Sequence, residues 1–204
     1  MTVRETLLMP RPRQFETDTV IVDAIDLFWS RGYRGLSMDD LVRGCGVSRS
    51  SLYSIFSGKR ELFLACLERY RDLNVPQTLG GLDAPDAALP EIESYFSGVI
   101  AELTGDGRRG CLVINSAAEL GAEDPEVARI AWAHLKMLRD HFARALRNAG
   151  ARGQIAAEAL DPAAGASLLM ATASGLILAG KANPDRRMLR AIARSALQAI
   201  GARA

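Results

Sequence analysis

Residues 43–60, a short basic segment rich in hydroxyl side chains, are the part of this 204-residue sequence best suited to bind nucleic acid. It holds no aspartate or glutamate and four basic residues, Arg43, Arg49, Lys59 and Arg60, although the formal net charge of the whole chain is only +1. Phosphates are bound by cations, hydroxyl groups and helix N-termini, and base edges by arginine or short polar side chains. The segment therefore predicts a local nucleic-acid surface on a chain that is nearly neutral overall.

Two short helices with a glycine-containing turn between them are needed to present this segment. Ser37 and Ser48 are typical N-cap residues, and they predict helices at about 38–44 and 49–55 on either side of Gly44–Gly46. Such a pair is a helix-turn-helix, whose second helix enters the major groove of DNA. With its apolar residues facing inward, the second helix leaves these side chains exposed: Arg49, Ser50, Ser51, Tyr53 and Ser54.

The remaining sequence has helical periodicity and no strand pattern, which predicts an all-α fold. Further helices are predicted at about 17–30, 59–73, 91–104, 111–120, 125–148, 162–182 and 185–200. The stretch 74–90 holds three prolines and Gly80–Gly81, so we predict a loop there. The predicted domains are a basic N-terminal arm at 1–14 with Arg11 and Arg13, a three-helix helix-turn-helix domain at 15–58, and a dimerising helical bundle at 59–204.

The segment 163–180 carries no charged residue and is just long enough to span a membrane. Alanine, glycine, serine and threonine dominate it, so we interpret it as a helix buried in protein. Ala171, Gly175 and Ala179 form a ridge of small residues, which favours a close helix–helix contact between two subunits.

Neither the N-terminus nor the cysteines indicate an exported or metal-binding protein. The N-terminus has no continuous apolar stretch of the kind found in signal peptides. The three cysteines, at 45, 66 and 111, lack the spacing of a disulfide framework or a zinc site. We expect a cytoplasmic protein without metal or cofactor.

Common enzyme signatures are missing from the sequence. No glycine-rich dinucleotide motif follows a strand, and Gly58–Lys59 is followed by Arg60, which does not fit a phosphate-binding loop. No nucleophile-elbow serine motif is found either. We predict a protein that is not an enzyme, with a small helical enzyme and a helical interaction protein without DNA binding as the alternatives.

The run LSMDDLVRGCGVSRSSLYSIFSGKRELFLACLE, preceded by WSRGYRGLS, resembles the DNA-binding domain of TetR-family transcriptional regulators. The resemblance covers about residues 15–70. It implies a homodimeric repressor that binds a palindromic double-stranded operator and is released by a small-molecule effector in its C-terminal domain. By that pattern Ser37, Tyr53 and Lys59 contact phosphates, while Arg49, Ser50, Ser51 and Ser54 face bases or the nearby backbone. Ser54 and Arg49 depart from the residues common in the family, which leaves the operator sequence open.

An effector of this kind is expected between helices of the C-terminal bundle. We predict that apolar side chains form the walls of its site and that a few polar groups orient it. The predicted walls are Phe96, Ile100, Leu103, Trp132, Leu135, Leu138 and Met170, and the predicted polar groups are Asn115, Ser174 and His134.

Cys111 offers a second way to sense a small molecule. The segment Arg109–Gly121 resembles the subgroup of the family that includes the N-ethylmaleimide-responsive repressor, in which some members sense electrophiles or oxidants through a cysteine at this place. A helix N-terminus and the neighbouring arginines would favour a reactive thiolate. Cysteine also packs as a small apolar residue, so two alternatives stay open for Cys111: a thiol sensor, or a wall of an ordinary noncovalent site.

Overall fold

The computed structural model describes residues 13–105, 108–156 and 161–202, and it confirms the all-α prediction: no strand lies in these ranges. The helices are α1 (Arg13–Arg31), α2 (Met38–Gly44), α3 (Arg49–Ile55), α4 (Lys59–Leu79), α5 (Leu89–Leu103), α6 (Leu112–Leu120), α7 (Pro125–Ala151), α8 (Pro162–Ala182) and α9 (Arg186–Ala199). One 3₁₀ turn, Gly80–Asp83, follows α4. The described residues up to Arg69 form one compact unit, and those from Tyr70 onward form a second.

Local capping determines where the two short helices of the first unit begin. The Ser37 hydroxyl accepts a hydrogen bond from the backbone N–H of Asp40, and the Asp40 carboxylate accepts one from the N–H of Ser37, 2.9 Å away. The Ser48 hydroxyl accepts in the same way from the N–H of Ser51. These bonds satisfy amide groups that have no partner inside the helix. Between the helices Gly46 has a φ of +65°, which glycine adopts without steric cost.

The core of the first unit lies between α1, the helix-turn-helix and the beginning of α4. Phe28 of α1 and Phe63 of α4 are buried with their ring centroids 4.9 Å apart. Leu41 of α2 and Leu52 of α3 are fully buried as well. This packing holds the outer face of α3 in a defined orientation.

The predicted loop at 74–90 is wrong in its first part, because α4 continues to Leu79. Pro76 lies inside the last turns of α4, where it removes one backbone N–H donor. Leu79 and Leu82 are buried just beyond it. Burial of these two leucines stabilises a helical course that the local proline signal argues against.

In the second unit α7 and α8 pack closely with α5, α6 and α9. The rings of Phe96 on α5 and Phe142 on α7 are stacked at 5.8 Å, and Tyr95 meets Phe142 edge-on at 5.4 Å. Polar side chains of α7 hold the connection that precedes α5: Arg144 donates to the carbonyl of Leu82, and Asn148 to that of Ala87. A long amphipathic helix thereby serves as the central support of this unit.

By length and composition α8 is a candidate membrane span. One of its faces is nevertheless buried against the bundle, with Leu169, Ala173 and Leu176 fully enclosed. Gly180 permits close approach, because a Cβ there would lie 3.0 Å from the Cβ of Leu103. Ala171 and Gly175 lie on the opposite, exposed face. The inner face of α8 thus belongs to the protein core, and its small-residue ridge is left on the surface.

Candidate nucleic-acid interface and internal cavity

The outer face of α3 consists of exposed polar and aromatic side chains. Arg49, Ser50, Ser51, Tyr53 and Ser54 are all exposed, and Tyr53 has 46% of its surface accessible. On the inner face Leu52 and Phe56 are buried. The structure therefore brings the predicted base-facing residues together on one side of a single helix.

The serine hydroxyls of this face are bound to one another or to the backbone. The Ser48 hydroxyl lies 2.9 Å from that of Ser50 and 2.8 Å from that of Ser51, and Ser54 donates to the carbonyl of Ser51 at 2.7 Å. A hydroxyl group donates and accepts through rotation about one bond. These exposed hydroxyl groups can therefore give up their present hydrogen bonds and bind DNA instead.

Lys59 lies at the start of α4, where it bonds to the loop before α2. Its Nζ donates to the carbonyl of Leu36 at 2.6 Å and lies 4.0 Å from the centroid of the Tyr33 ring. An ammonium group is a strong donor and can bind a phosphate in exchange for one of its present contacts. Ser37, the next residue along that loop, is exposed. The structure places two of the predicted phosphate-binding residues beside the same loop.

Acidic side chains from just outside the basic segment fold onto its arginines. The Asp40 carboxylate lies 2.7 Å from the guanidinium of Arg43, and that of Asp39 lies 3.3 Å from the guanidinium of Arg49. Hydrogen bonds from Ser37 lower the pKa of Asp40 to about 2, and Arg43 contributes to the shift, so this carboxylate stays charged at neutral pH. The basic segment itself holds no acidic residue, but α2 brings the carboxylates of Asp39 and Asp40 against two of its four positive charges.

The basic arm lies mostly beyond the described part of the chain. Arg11 is outside the described residues, and Arg13 is the first residue of α1. The contacts predicted for both arginines stay predictions.

The second unit encloses a cavity of about 40 Å³. Most of its wall is apolar, and a smaller set of polar side chains is gathered on it. The polar or ionisable residues are Tyr70, Thr78, Tyr95, Glu102, Cys111 and His134, and the others are Leu79, Val99, Leu103, Gly110, Ile114, Leu138 and Ile177. An apolar pocket with a few polar groups is the usual form of a small-molecule site.

Four of the residues predicted from the sequence line this cavity: Leu103, Cys111, His134 and Leu138. Phe96 and Ile100 instead line a separate, more open groove beside α9. Trp132 is 60% exposed and lies outside the cavity.

The other predicted wall and orienting residues lie outside the cavity: Leu135, Met170, Asn115 and Ser174. Asn115 donates to the carbonyl of Arg109 at 2.8 Å, and Ser174 donates to that of Met170 at 3.0 Å. Both side chains therefore bond to backbone near their own position in the chain.

Sequence reasoning missed Tyr70, Tyr95 and Glu102. Helical spacing shows which residues share a face, but not which face of each of several helices points at one space.

Cys111 and His134 are neighbours in the cavity wall. The Sγ of Cys111 lies 3.6 Å from the Nε2 of His134. Burial raises the pKa of the Cys111 thiol, although amide groups of α6 and the Tyr70 hydroxyl act in the opposite direction. Burial, with Arg71 nearby, lowers the pKa of His134 to about 4. At neutral pH the pair therefore consists of a thiol and an uncharged imidazole.

Comparisons with known proteins agree with this architecture. The family model of bacterial regulatory proteins of the tetR family matches residues 20–66, and that of the tetracyclin repressor-like C-terminal domain matches residues 88–196. The HTH-type transcriptional regulator YezE of Bacillus subtilis is 33% identical over 178 residues, which are 87% of this chain and 92% of that protein. The HTH-type transcriptional repressor ComR of Escherichia coli is 29% identical over 147 residues, 71% of this chain and 70% of that protein.

A solved structure with bound DNA shares the fold. A cysteine mutant of the TetR family transcriptional regulator CifR, complexed with a 26-base-pair double-strand operator DNA, has a TM-score of 0.78 and 29% identity, covering 94% of this chain and 100% of that chain. The helix-turn-helix, the helical second unit and both family matches lead to one assignment: this chain belongs to the TetR family of helix-turn-helix DNA-binding transcriptional regulators.

Proposed function

We propose that this regulator is a cytoplasmic homodimeric repressor that binds a palindromic operator and leaves it when a small molecule occupies the cavity of the second unit. The observation that supports the proposal most directly is that one helix, α4, contributes residues both to the cavity wall and to the DNA-binding unit. Tyr70, Thr78 and Leu79 of that wall belong to α4, the helix that begins at Lys59 in the DNA-binding unit. A ligand that moves α4 at the cavity would act on a helix that also belongs to the DNA-binding unit, and no other element would be needed to carry the signal.

On DNA the first unit is proposed to use two kinds of contact. Ser37, Tyr53 and Lys59 bind phosphates and set the register, while Arg49, Ser50, Ser51 and Ser54 on the exposed face of α3 read base edges or bind the backbone nearby. Arg49 is the strongest candidate for base reading, because arginine binds guanine through two parallel hydrogen bonds. Its guanidinium also lies 6.0 Å from the centroid of the Tyr53 ring, which holds it along the helix surface.

The homodimer is proposed to form through the outer faces of α8 and α9. Ala171, Gly175 and Leu178 of α8 and Ile192 of α9 are exposed, and small residues let two helices approach closely. A dimer presents two recognition helices to half-sites about 34–36 Å apart. An effector that changes this separation weakens binding, since the two α3 helices no longer dock together.

Thiol chemistry at Cys111 is the alternative, and the resemblance to the electrophile-responsive subgroup stays a prediction. The thiolate is the reactive form of cysteine, and burial raises the pKa of this thiol. The neutral His134 beside it does not supply the positive charge that would reverse this effect. The geometry therefore favours a noncovalent effector.

Selection of duplexes from a random pool by the purified protein tests DNA binding and dimer geometry together. We expect inverted repeats whose half-site centres lie about one or two helical turns apart. Selection of single, unrepeated sites would contradict the homodimeric mode. Transcription in vitro from a promoter that carries the selected site should decrease when the protein is added, and an increase would indicate an activator.

Replacing Lys59 by methionine tests its phosphate contact while keeping a long apolar stem against Tyr33. We expect weaker binding to the selected operator and to unrelated duplexes alike, with the slope of log K against log salt reduced by about one. Lys136→Met, at an exposed position of α7, is the control and should change neither quantity. A thermal melt of both variants is needed because Lys59 also bonds to Leu36. An altered base preference with an unchanged salt slope would contradict the phosphate role.

Replacing Asp39 by asparagine tests the pairing of Arg49. Both side chains are exposed, so their attraction is weak, but the carboxylate competes with DNA for the guanidinium and repels phosphates. We expect Asp39→Asn to tighten binding to unrelated duplexes by about twofold to fivefold and to tighten operator binding less, which lowers the specificity ratio. Fluorescence anisotropy measures both affinities. Asp86→Asn in the second unit is the control, because it changes the net charge of the protein by the same amount. Equal tightening on both duplexes would show that Asp39 acts by charge alone.

Replacing Cys111 by serine separates the two sensing modes. We expect molecules that release the wild-type protein from its operator without covalent reaction to release Cys111→Ser as well, because the thiol is one wall group among many. N-ethylmaleimide provides the contrasting probe, measured by the same operator-release assay. Release of the wild type by this reagent together with resistance of Cys111→Ser would favour the thiol sensor instead.

A further inference from the structure

A groove lies between α5 and α9 in the second unit, and it shares no lining residue with the enclosed cavity. Its volume is about 390 Å³, and small-molecule sites have roughly 300–1,000 Å³. Phe96 and Ile100 of α5 and Leu197 of α9 line it with apolar surface. The first two side chains belong to the core, and Leu197 is partly buried. The groove can therefore cover the hydrocarbon part of a ligand that lies along it.

The α9 side of this groove carries two positive charges without partners. Arg190 and Arg194 are exposed and line the groove, and neither has a hydrogen bond or an ion pair within the described part of the chain. Side chains four residues apart are neighbours on one face of a helix, and like charges at this spacing destabilise it. An anion placed between the two guanidinium groups would remove their repulsion and accept charge-assisted hydrogen bonds from both.

The charge of α9 differs from that of the chain as a whole. This helix holds four arginines and no acidic residue, although the formal net charge of the chain is only +1. On the α5 side Glu93 also lines the groove, and it forms no ion pair with either arginine. Two arginines and one glutamate give the groove lining a net charge of +1. A ligand with one negative charge balances it.

A lipid bilayer suits these arginines less well than a free molecule does. Basic helices that bind membranes bury their apolar face in the lipid. In α9 the apolar side chains of Leu189, Ala193 and Ala196 are instead buried in the protein. The apolar surface that remains next to the arginines is the floor of the groove, which is shaped for a single chain.

We propose that this groove binds a free amphipathic carboxylate, whose charged group lies between Arg190 and Arg194 and whose hydrocarbon chain packs on Phe96, Ile100 and Leu197. From Arg190 to Gln198 the groove follows α9 for about 12 Å, which accommodates an extended medium-length chain. The site is separate from the cavity, so the inference does not depend on the proposed effector mechanism.

Calorimetric titration of the full chain with octanoate tests the ligand class. We expect octanoate to bind at least about tenfold more tightly than butanoate, because each buried methylene group adds about fourfold in affinity. Octylammonium, which has a similar chain and the opposite charge, should bind about fivefold to tenfold more weakly than octanoate at low salt. This difference should decrease as salt is added, because the charged groups are exposed to solvent and are screened.

The double variant Arg190→Gln/Arg194→Gln removes both charges and keeps polar side chains at two exposed positions. We expect it to bind octanoate about tenfold more weakly than the wild type and to bind octylammonium no more weakly. The control is Arg147→Gln/Arg187→Gln, which removes the same charge at two exposed positions outside the groove. It should bind both compounds like the wild type.

Filling the groove tests the place of binding without a change in charge. Ser97 is exposed and lines the groove, whereas Ser94 is exposed on the same helix outside it. We expect Ser97→Phe to weaken octanoate binding by about tenfold, because the new ring occupies the apolar floor. Ser94→Phe, the matched control, should leave the affinity unchanged.

Equal affinity for octanoate and butanoate would overturn the proposal, and so would unchanged octanoate binding by the double arginine variant or by Ser97→Phe. Tighter binding to phosphatidylglycerol vesicles than to octanoate, unaffected by Ser97→Phe, would assign the arginines to a membrane surface and contradict it as well. Sedimentation of each variant gives the oligomeric state. Ile192, on the proposed dimer face, does not line the groove, so we expect no change. Dissociation of the double arginine variant alone would show that a second copy covers the groove, which excludes the ligand.

Discussion

The unbroken course of α4 from Lys59 to Leu79 is the constraint on which the rest of this structure depends. Its first half supplies Phe63 and other core side chains to the unit that holds the helix-turn-helix. Its second half supplies Tyr70 and Leu79 to the wall of the cavity in the other unit. A regular series of backbone hydrogen bonds holds α4 as one helix, although Pro76 removes one donor near its end. In the proposed mechanism α4 is the element that both units share.

The DNA-facing surface is held in a restrained state by its own side chains. Arg49 meets Asp39, Arg43 meets Asp40, and the serines of α3 bond to one another. These exposed interactions are individually weak, so DNA replaces them at small cost. In the proposed mode of binding, phosphate contacts position the protein, and selectivity comes from contacts between α3 and base edges.

The cavity has the complementary character, since its polar groups are buried and few. The buried imidazole of His134 lies beside the buried thiol of Cys111, with 3.6 Å between Nε2 and Sγ. The surrounding apolar wall adds affinity without direction, so recognition depends on a small number of atoms.

Much of the helical architecture was determined by the sequence itself. The bounds of α2, α3 and α8 were predicted residue for residue, because Ser37, Ser48 and Pro162 mark helix starts through interactions within a few residues. The family and the exposed face of α3 followed from the same local patterns. The end of α4 was not predictable, because burial of Leu79 and Leu82 outweighs the local effect of Pro76.

The tertiary structure alone decided which side chains meet. Asp39 reaches Arg49 because two helices pack at an angle, and Tyr70, Glu102, Cys111 and His134 share one cavity although up to 64 positions separate them. Periodicity shows which face of a helix is buried. It does not show which other helix packs against that face, because this depends on the packing of all the helices together.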